Sequence, residues 1–200
     1  MVLKDFIVFE GIDGSGTSTQ IKKLIESNPE KYFATSEPTK GEIGRFLRRM
    51  LGGEFSVDEK TNAFLFAADR CEHIWGKGGI IEHINNGQVV ISDRYFFSSL
   101  AYQSVSCGND IPEFVNSKFP LPEYLFFFEI NPEVSLSRVN ARNEKKEIYE
   151  KLDTQQVIAD KYRTVISQYE KENKEMKVIH IDASKSIDEI ATEIKDILNK

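Results

Sequence analysis

The sequence is poor in cysteine, in long apolar runs and in net positive charge. Its two cysteines, Cys71 and Cys107, are too few for a disulfide framework and lack metal-ligand spacing, and we expect Cys71, within a helical pattern, to be a buried free thiol. No stretch approaches the roughly 20 apolar residues of a membrane span, and residues 6–9 are too short for a signal peptide. The formal net charge of -6 argues against broad binding of nucleic acids or anionic membranes. These absences favour a cytoplasmic protein with neither a membrane nor a nucleic-acid partner.

Short apolar segments alternate with helical patterns along the 200 residues. The segments lie at residues 6–9, 32–35, 89–91, 125–130 and 178–181. Apolar runs with little alternation are typical of strands covered on both faces, as in a parallel sheet. Capping-box spacing predicts helix starts at Ser56 and Ser186, and residues 149–173 predict a long charged helix. The sequence therefore predicts one α/β domain over residues 1–200, with three layers and a five-stranded parallel sheet in which residues 6–9 are central.

A glycine-rich segment follows the first predicted strand at residues 11–18, with the spacing of the phosphate-loop motif G-x4-G-K-[ST]. Glycines permit the tight turn and the close approach of phosphate, while backbone amides and a helix N-terminus attract it. Thr17 stands where the motif has a lysine that reaches the β- and γ-phosphates. The alternative is a glycine-rich turn in some other α/β protein. The residues predicted to hold ATP here are Gly11, Gly14, Ser15, Gly16, Thr17, Ser18 and Thr19, with the Ser18 hydroxyl also offered to Mg²⁺.

Further segments along the chain resemble the thymidylate (dTMP) kinase family of P-loop nucleoside monophosphate kinases. Residues 9–16 and 18–20 resemble its phosphate loop, and Glu37-Pro38-Thr39 its Glu-Pro turn. Residues 66–73 resemble its base-binding helix, residues 93–103 its Asp-Arg motif, and residues 182–184 its last strand-loop junction. The matches are collinear and cover about residues 5–198. The resemblance implies phosphoryl transfer from ATP to dTMP with Mg²⁺, by a homodimer.

The resemblance also implies an acceptor site. Asp13 and Arg94 would lie at the acceptor phosphate as catalytic residues, and Asp93 would join Ser18 at Mg²⁺. Phe66 and Arg70 share one helix face, where they could stack on a pyrimidine and bond its edge, although a core phenylalanine beside a surface arginine is the alternative. The residues implied to bind the acceptor are Asp13, Glu37, Phe66, Arg70, Arg94, Ser98, Ser99, Tyr102 and Gln103, with Tyr102 crowding the 2′ position of the sugar.

Residues 138–151 are dense in charge and resemble the family's lid over the donor nucleotide. The resemblance makes Arg142 a candidate catalytic cation and Arg138 a candidate contact to ATP. A solvated charged face is the alternative, because Glu144, Glu147 and Glu150 dilute the positive charge. Since phosphoryl transfer needs cations around the moving group, Thr17 predicts a slow enzyme unless another cation takes the place of the lysine.

The sequence leaves several functions open. The chain could be a dTMP kinase, a kinase for another nucleoside or nucleotide on the same scaffold, or a nucleotide-binding relative that lost turnover with its lysine. An engineered Thr17 would look the same as a natural one.

Overall fold

The computed structural model describes residues 1–141, 149 and 151–199. Its strands are β1 (Val2–Gly11), β2 (Tyr32–Ser36), β3 (Val89–Asp93), β4 (Leu121–Glu129) and β5 (Lys177–Asp182). The helices of the described part are α1 (Thr17–Ser27), α2 (Glu42–Leu51), α3 (Glu59–Trp75), α4 (Ile80–Asn85), α5 (Phe96–Cys107), α6 (Asp110–Asn116), α7 (Pro132–Asn140), α8 (Leu152–Glu172) and α9 (Ile187–Leu198). None of these helices is long and apolar enough to cross a membrane.

The five strands form one sheet in the order β2-β3-β1-β4-β5, and every neighbouring pair is parallel. Val90 of β3 lies opposite Phe6 of β1, and Ile91 lies opposite Ile7. The predicted parallel sheet with residues 6–9 at its centre is therefore confirmed. Because β1 is flanked by β3 and β4, the carboxyl ends of these three strands meet at one sheet edge, where α/β folds bind their ligands.

The strand segments are apolar because helices cover both faces of the sheet. Phe6, Val8 and Phe9 of β1 are completely buried. The ring of Phe9 packs 5.0 Å from that of Phe126 and 5.2 Å from that of Phe128, both on β4. This aromatic packing fixes β1 against β4, and with it the start of the loop that follows β1.

Helix starts are set by capping side chains, and one predicted start is wrong. The helix predicted to begin at Ser56 begins at Glu59, and Asp58 is its cap, with a carboxylate that accepts from the amides of Lys60 and Thr61. A carboxylate also interacts favourably with the positive helix N-terminus, so Asp58 is the better cap. The predicted capping box of Ser186 is confirmed at the start of α9.

The prediction that Cys71 is buried is also wrong, since its side chain is exposed on α3. The inward face of this helix carries polar residues instead, among them Asp69, Arg70 and His73. Helical spacing turns Cys71 away from that polar face and toward solvent.

Candidate functional site

The glycine-rich loop connects β1 to α1 at the carboxyl edge of the sheet. Gly14 and Gly16 have φ angles of 83° and 98°, in the left-handed region that favours glycine. A Cβ on Gly14 would lie 2.5 Å from the carbonyl oxygen of Ser135 in α7, and the Ser135 hydroxyl donates to the carbonyl of Asp13. The loop is thus pressed against α7. Among the described residues no side chain caps α1, so its N-terminal amides are available to an anion.

One cleft opens on the α9 side of this loop. Its lining includes Gly14, Ser15, Gly16, Thr19, Gln20, Arg138, Ala183, Lys185, Ile187 and Ile190. Arg138 donates from Nη1 to the carbonyl of Ala183 at 3.1 Å, so its guanidinium is held at the wall of the cleft. Lys185, which the sequence did not single out, lies 2.8 Å from Glu193. Two cations therefore border the cleft that the phosphate loop enters.

The two predicted metal ligands meet where α1 begins and β3 ends. The hydroxyl of Ser18 donates to Oδ2 of Asp93 at 2.5 Å. Oxygen ligands and a small number of protein contacts suit Mg²⁺, which keeps several waters and binds substrate phosphates. Within the described ranges no group of three or more His, Cys, Asp or Glu residues could hold a metal.

A second cleft opens on the other side of the loop. It is lined by Asp13, Glu37, Pro38, Arg48, Leu51, Phe66, Arg70, Arg94, Tyr95, Ser98, Tyr102, Gln103 and Tyr149. Every residue predicted to bind the acceptor lines it except Ser99. The hydroxyl of Ser99 is buried behind the cleft and accepts from Nη2 of Arg70 at 3.1 Å. The structure therefore places Ser99 as support for Arg70.

Arg94 joins the phosphate loop to the second cleft. Its Nη2 pairs with Oδ1 of Asp13, and its Nη1 donates to the carbonyl of Gly11 at 3.1 Å. Its guanidinium also lies 5.3 Å from the ring centre of Tyr102. The backbone of Arg94 has a φ of 72°, an uncommon conformation for a non-glycine residue. Its amide donates to the carbonyl of Phe9 at 2.9 Å, which ties the turn to β1.

Arg70 forms the floor of the second cleft and is almost completely buried, at 1% exposure. Its Nε and Nη2 lie 2.9 and 2.6 Å from Oε2 of Glu37, and its Nη1 donates to Asn116 at 2.5 Å. Glu37 also contacts Nδ1 of His73 at 3.0 Å. Phe66 lies one turn before Arg70 on the same face of α3 and lines the same cleft. A flat ligand entering the cleft would therefore meet a ring and a guanidinium.

Glu10 is a buried carboxylate that the sequence analysis missed. It ends the apolar part of β1 and is completely buried. Burial raises its pKa to about 7, although the charge of Arg94 and hydrogen bonds from Ser98, Tyr162 and the Tyr95 amide act in the opposite direction. The available signal was a charged residue at the end of a strand otherwise predicted to be buried.

Arg48 is a second missed residue and lines the second cleft, as Arg94 does. It lies in the last turn of α2, and its guanidinium contacts the carbonyls of Pro38 and Thr39. The spacing of basic residues after the Glu37-Pro38 turn was the available signal. The second cleft is therefore lined by three arginines, Arg48, Arg70 and Arg94.

The lid prediction falls mostly outside the described residues. Arg142, Lys145 and Lys146, and with them the candidate catalytic role of Arg142, lie there. Tyr149 is described, and its ring centre lies 5.3 Å from that of Tyr102. Its side chain therefore borders the second cleft directly beside Tyr102.

Comparison with known proteins agrees with this architecture. The family model for thymidylate kinase matches residues 9–194. A Treponema pallidum (strain Nichols) protein, provisionally named a thymidylate kinase, is 40% identical over 94% of this chain and 91% of its own. A thymidylate kinase of Leptospira borgpetersenii is 36% identical over 96% of this chain and 92% of its own. A Methanococcus aeolicus protein, also provisionally named a thymidylate kinase, is 38% identical over 99% and 98%.

Proposed function

The chain belongs to the thymidylate kinase family and is a nucleoside monophosphate kinase, and we propose that it transfers the γ-phosphate of ATP to dTMP, giving ADP and dTDP. One observation carries this proposal. Consecutive residues of the phosphate loop line different clefts, with Gly14 on the α9 side and Asp13 on the side of Arg70. A donor in one cleft and an acceptor in the other would meet at the loop, which is the arrangement that transfer between two bound nucleotides requires.

The side chains between the clefts suit phosphoryl transfer, which needs positioning and charge neutralisation rather than a protein nucleophile. Arg94 would bind the acceptor phosphate, and Asp13 would hold its guanidinium toward the loop. Arg48 supplies a second positive charge on the acceptor side. Ser18 and Asp93 would hold Mg²⁺, which neutralises phosphate charge when it is bound.

The acceptor cleft has features that fit a deoxypyrimidine. Phe66 would stack on the base, and Arg70 and Gln103 would meet its edge. The Oε1 atom of Gln103 is buried and has no hydrogen-bond partner among the described residues, so a donor on the ligand would satisfy it. Tyr102 is nearly buried beside Asp13, where its ring would crowd a 2′-hydroxyl.

Thr17 lowers the rate expected for the transfer step but leaves the backbone of the loop intact. Arg138 and Lys185 border the donor cleft and supply part of the positive charge that a loop lysine would add. A single-turnover assay with ATP, Mg²⁺ and each of dTMP, dUMP, dCMP and UMP tests the proposal. Phosphorylation fastest with dTMP supports it, and a preference for any of the other three acceptors would refute it.

We also propose that the protein is a homodimer in the cytoplasm. One outward face of α3 carries Phe64, Ala68, Cys71 and Trp75, all exposed and spaced three to four residues apart, with Phe64 and Trp75 each 52% exposed. An apolar stripe of this kind marks an interaction surface. The free thiol of Cys71 fits a reducing compartment. Sedimentation should show a dimer that Phe64→Glu dissociates, whereas Lys60→Glu, at an exposed polar position one turn earlier, should leave it intact.

A further inference from the structure

Behind the acceptor cleft, the buried carboxylate of Glu10 gathers several donors from two helices. Its Oε1 accepts from the amides of Tyr95 at 2.8 Å and Ser98 at 3.2 Å, which are at the start of α5. Its Oε2 accepts from the hydroxyls of Ser98 at 2.7 Å and of Tyr162, on α8, at 2.8 Å. Glu10 therefore caps α5 from a strand, in place of a cap within the helix itself.

The same two hydroxyls are also the inner partners of Arg94. Nη1 of Arg94 lies 3.2 Å from the hydroxyl oxygen of Ser98 and 3.2 Å from that of Tyr162. A hydroxyl has one proton, and if it donates that proton to Glu10 it can only accept from Arg94. The two hydroxyl oxygens also lie 2.7 Å from each other, so one of their two protons can be shared between them. The negative charge of Glu10 draws these protons toward Oε2 and leaves hydroxyl lone pairs to face the guanidinium.

We propose that Glu10 is a positioning residue for Arg94: through the hydroxyls of Ser98 and Tyr162, its carboxylate fixes the guanidinium that faces the acceptor phosphate. This inference rests on the proposed function, since it concerns the same acceptor. Asp13 holds the guanidinium from the loop, and the Glu10 network holds it from the protein interior. Neither the carboxylate of Glu10 nor the hydroxyl of Tyr162 belongs to a residue that lines the cleft, so their effect on a ligand passes through Arg94 or through Ser98.

Two substitutions separate positioning from capping. Glu10→Gln keeps the size of the side chain and an oxygen for the two α5 amides, but its amide group must donate to the hydroxyls and reverses their orientation. Tyr162→Phe keeps the Glu10 cap and removes one hydroxyl from the network. Tyr169→Phe is the matched control, because it removes a tyrosine hydroxyl two turns later on α8 that is not part of the network.

The experiment measures binding of dTMP and of thymidine, which lacks the phosphate, by calorimetry at about pH 8.5, above the pKa of Glu10. Glu10→Gln and Tyr162→Phe should each weaken the binding of dTMP by about tenfold or more, which is the effect of a lost hydrogen bond to a charged group. The affinity for thymidine should stay within about twofold of that of the unmodified protein. Tyr169→Phe should change the affinity for neither ligand.

Three results would overturn the inference, and they are distinguishable. Equal loss of dTMP and thymidine in Glu10→Gln would mean that Glu10 only supports α5. Unchanged affinity for both dTMP and thymidine in both variants would remove Glu10 from the phosphate site while leaving the proposed function intact. Equal affinity for dTMP and thymidine in the unmodified protein would reject the acceptor site itself, and the positioning role with it.

Discussion

Replacing Glu10 by glutamine should change how the stability of the protein depends on pH. Burial raises the pKa of Glu10 from an ordinary 4.5 to about 7. A group whose pKa is higher in the folded state binds its proton more tightly there, so this proton stabilises the fold below about pH 4.5. The stabilisation is lost as the pH rises through about 7, because the buried carboxylate must then carry a charge. Glutamine does not titrate, so the Glu10→Gln variant does not lose stability in this way as the pH rises.

The size of the effect follows from the two pKa values. Raising the pKa from 4.5 to about 7, at about 1.36 kcal/mol per pKa unit, changes the free energy of unfolding by about 3 kcal/mol in full, and about three quarters of this change falls between pH 5 and 8.5. Urea unfolding of both proteins at about pH 5 and pH 8.5 measures it, since all other titrating groups cancel in the difference. As the pH rises, the free energy of unfolding of the variant should increase relative to that of the unmodified protein. Parallel stability curves for the two proteins would show that Glu10 ionises as an exposed carboxylate does.

Other predictions concern the phosphates. Arg94→Ala should weaken dTMP binding by about 2–5 kcal/mol in calorimetry, because a charge pair with a buried phosphate is lost. Unchanged dTMP affinity would remove Arg94 from the site. Thr17→Lys should raise kcat with little change in the KM for ATP, since the lysine acts mainly on charge that develops during transfer. No increase in kcat, together with a large loss in Arg138→Ala or Arg142→Ala, would show that another cation has replaced the loop lysine.

The sheet could be predicted because its determinants are local in sequence. Each strand contains a short, mostly apolar run, and the runs alternate with helical patterns, which predicts a parallel sheet with helices on both faces. The start of α3 was harder to predict than the sheet, because Ser56 and Asp58 are both good caps. The sequence does not say which of the two meets the first free amides of the helix. The exposure of Cys71 was missed because α3 buries charged residues that a sequence pattern assigns to solvent.

The residues that line the second cleft were predicted where they belong to sequence motifs, and residues that only the fold brings to this region were missed. Tyr162, on α8, lies 3.2 Å from Nη1 of Arg94 behind the cleft, and nothing in the charged pattern of that helix distinguishes it. Ser98 and Ser99 are neighbours in sequence, yet one lines the cleft and the other lies behind it. Which of two adjacent serines faces a ligand depends on how α5 is rotated, and Glu10 helps to set that rotation from β1.

The donors of Arg70 provide a reason to expect discrimination between thymine and cytosine. A guanidinium has five N–H groups, and the described contacts use one on Nε, two on Nη2 and one on Nη1, toward Glu37, Ser99 and Asn116. The remaining N–H on Nη1 can only donate.

A base with a carbonyl at that edge, as in thymine, gains a hydrogen bond from a charged donor. The amino group of cytosine would instead oppose a second donor and leave Arg70 with a buried, unpaired N–H. We therefore expect dCMP to bind at least tenfold more weakly than dTMP, since leaving a buried charged donor unpaired costs about 1–3 kcal/mol or more. Asn116→Ala would free a second N–H but could not convert either into an acceptor, so the preference for dTMP should persist in that variant. Equal affinity for dTMP and dCMP in the unmodified protein would show that Arg70 does not meet this edge of the base.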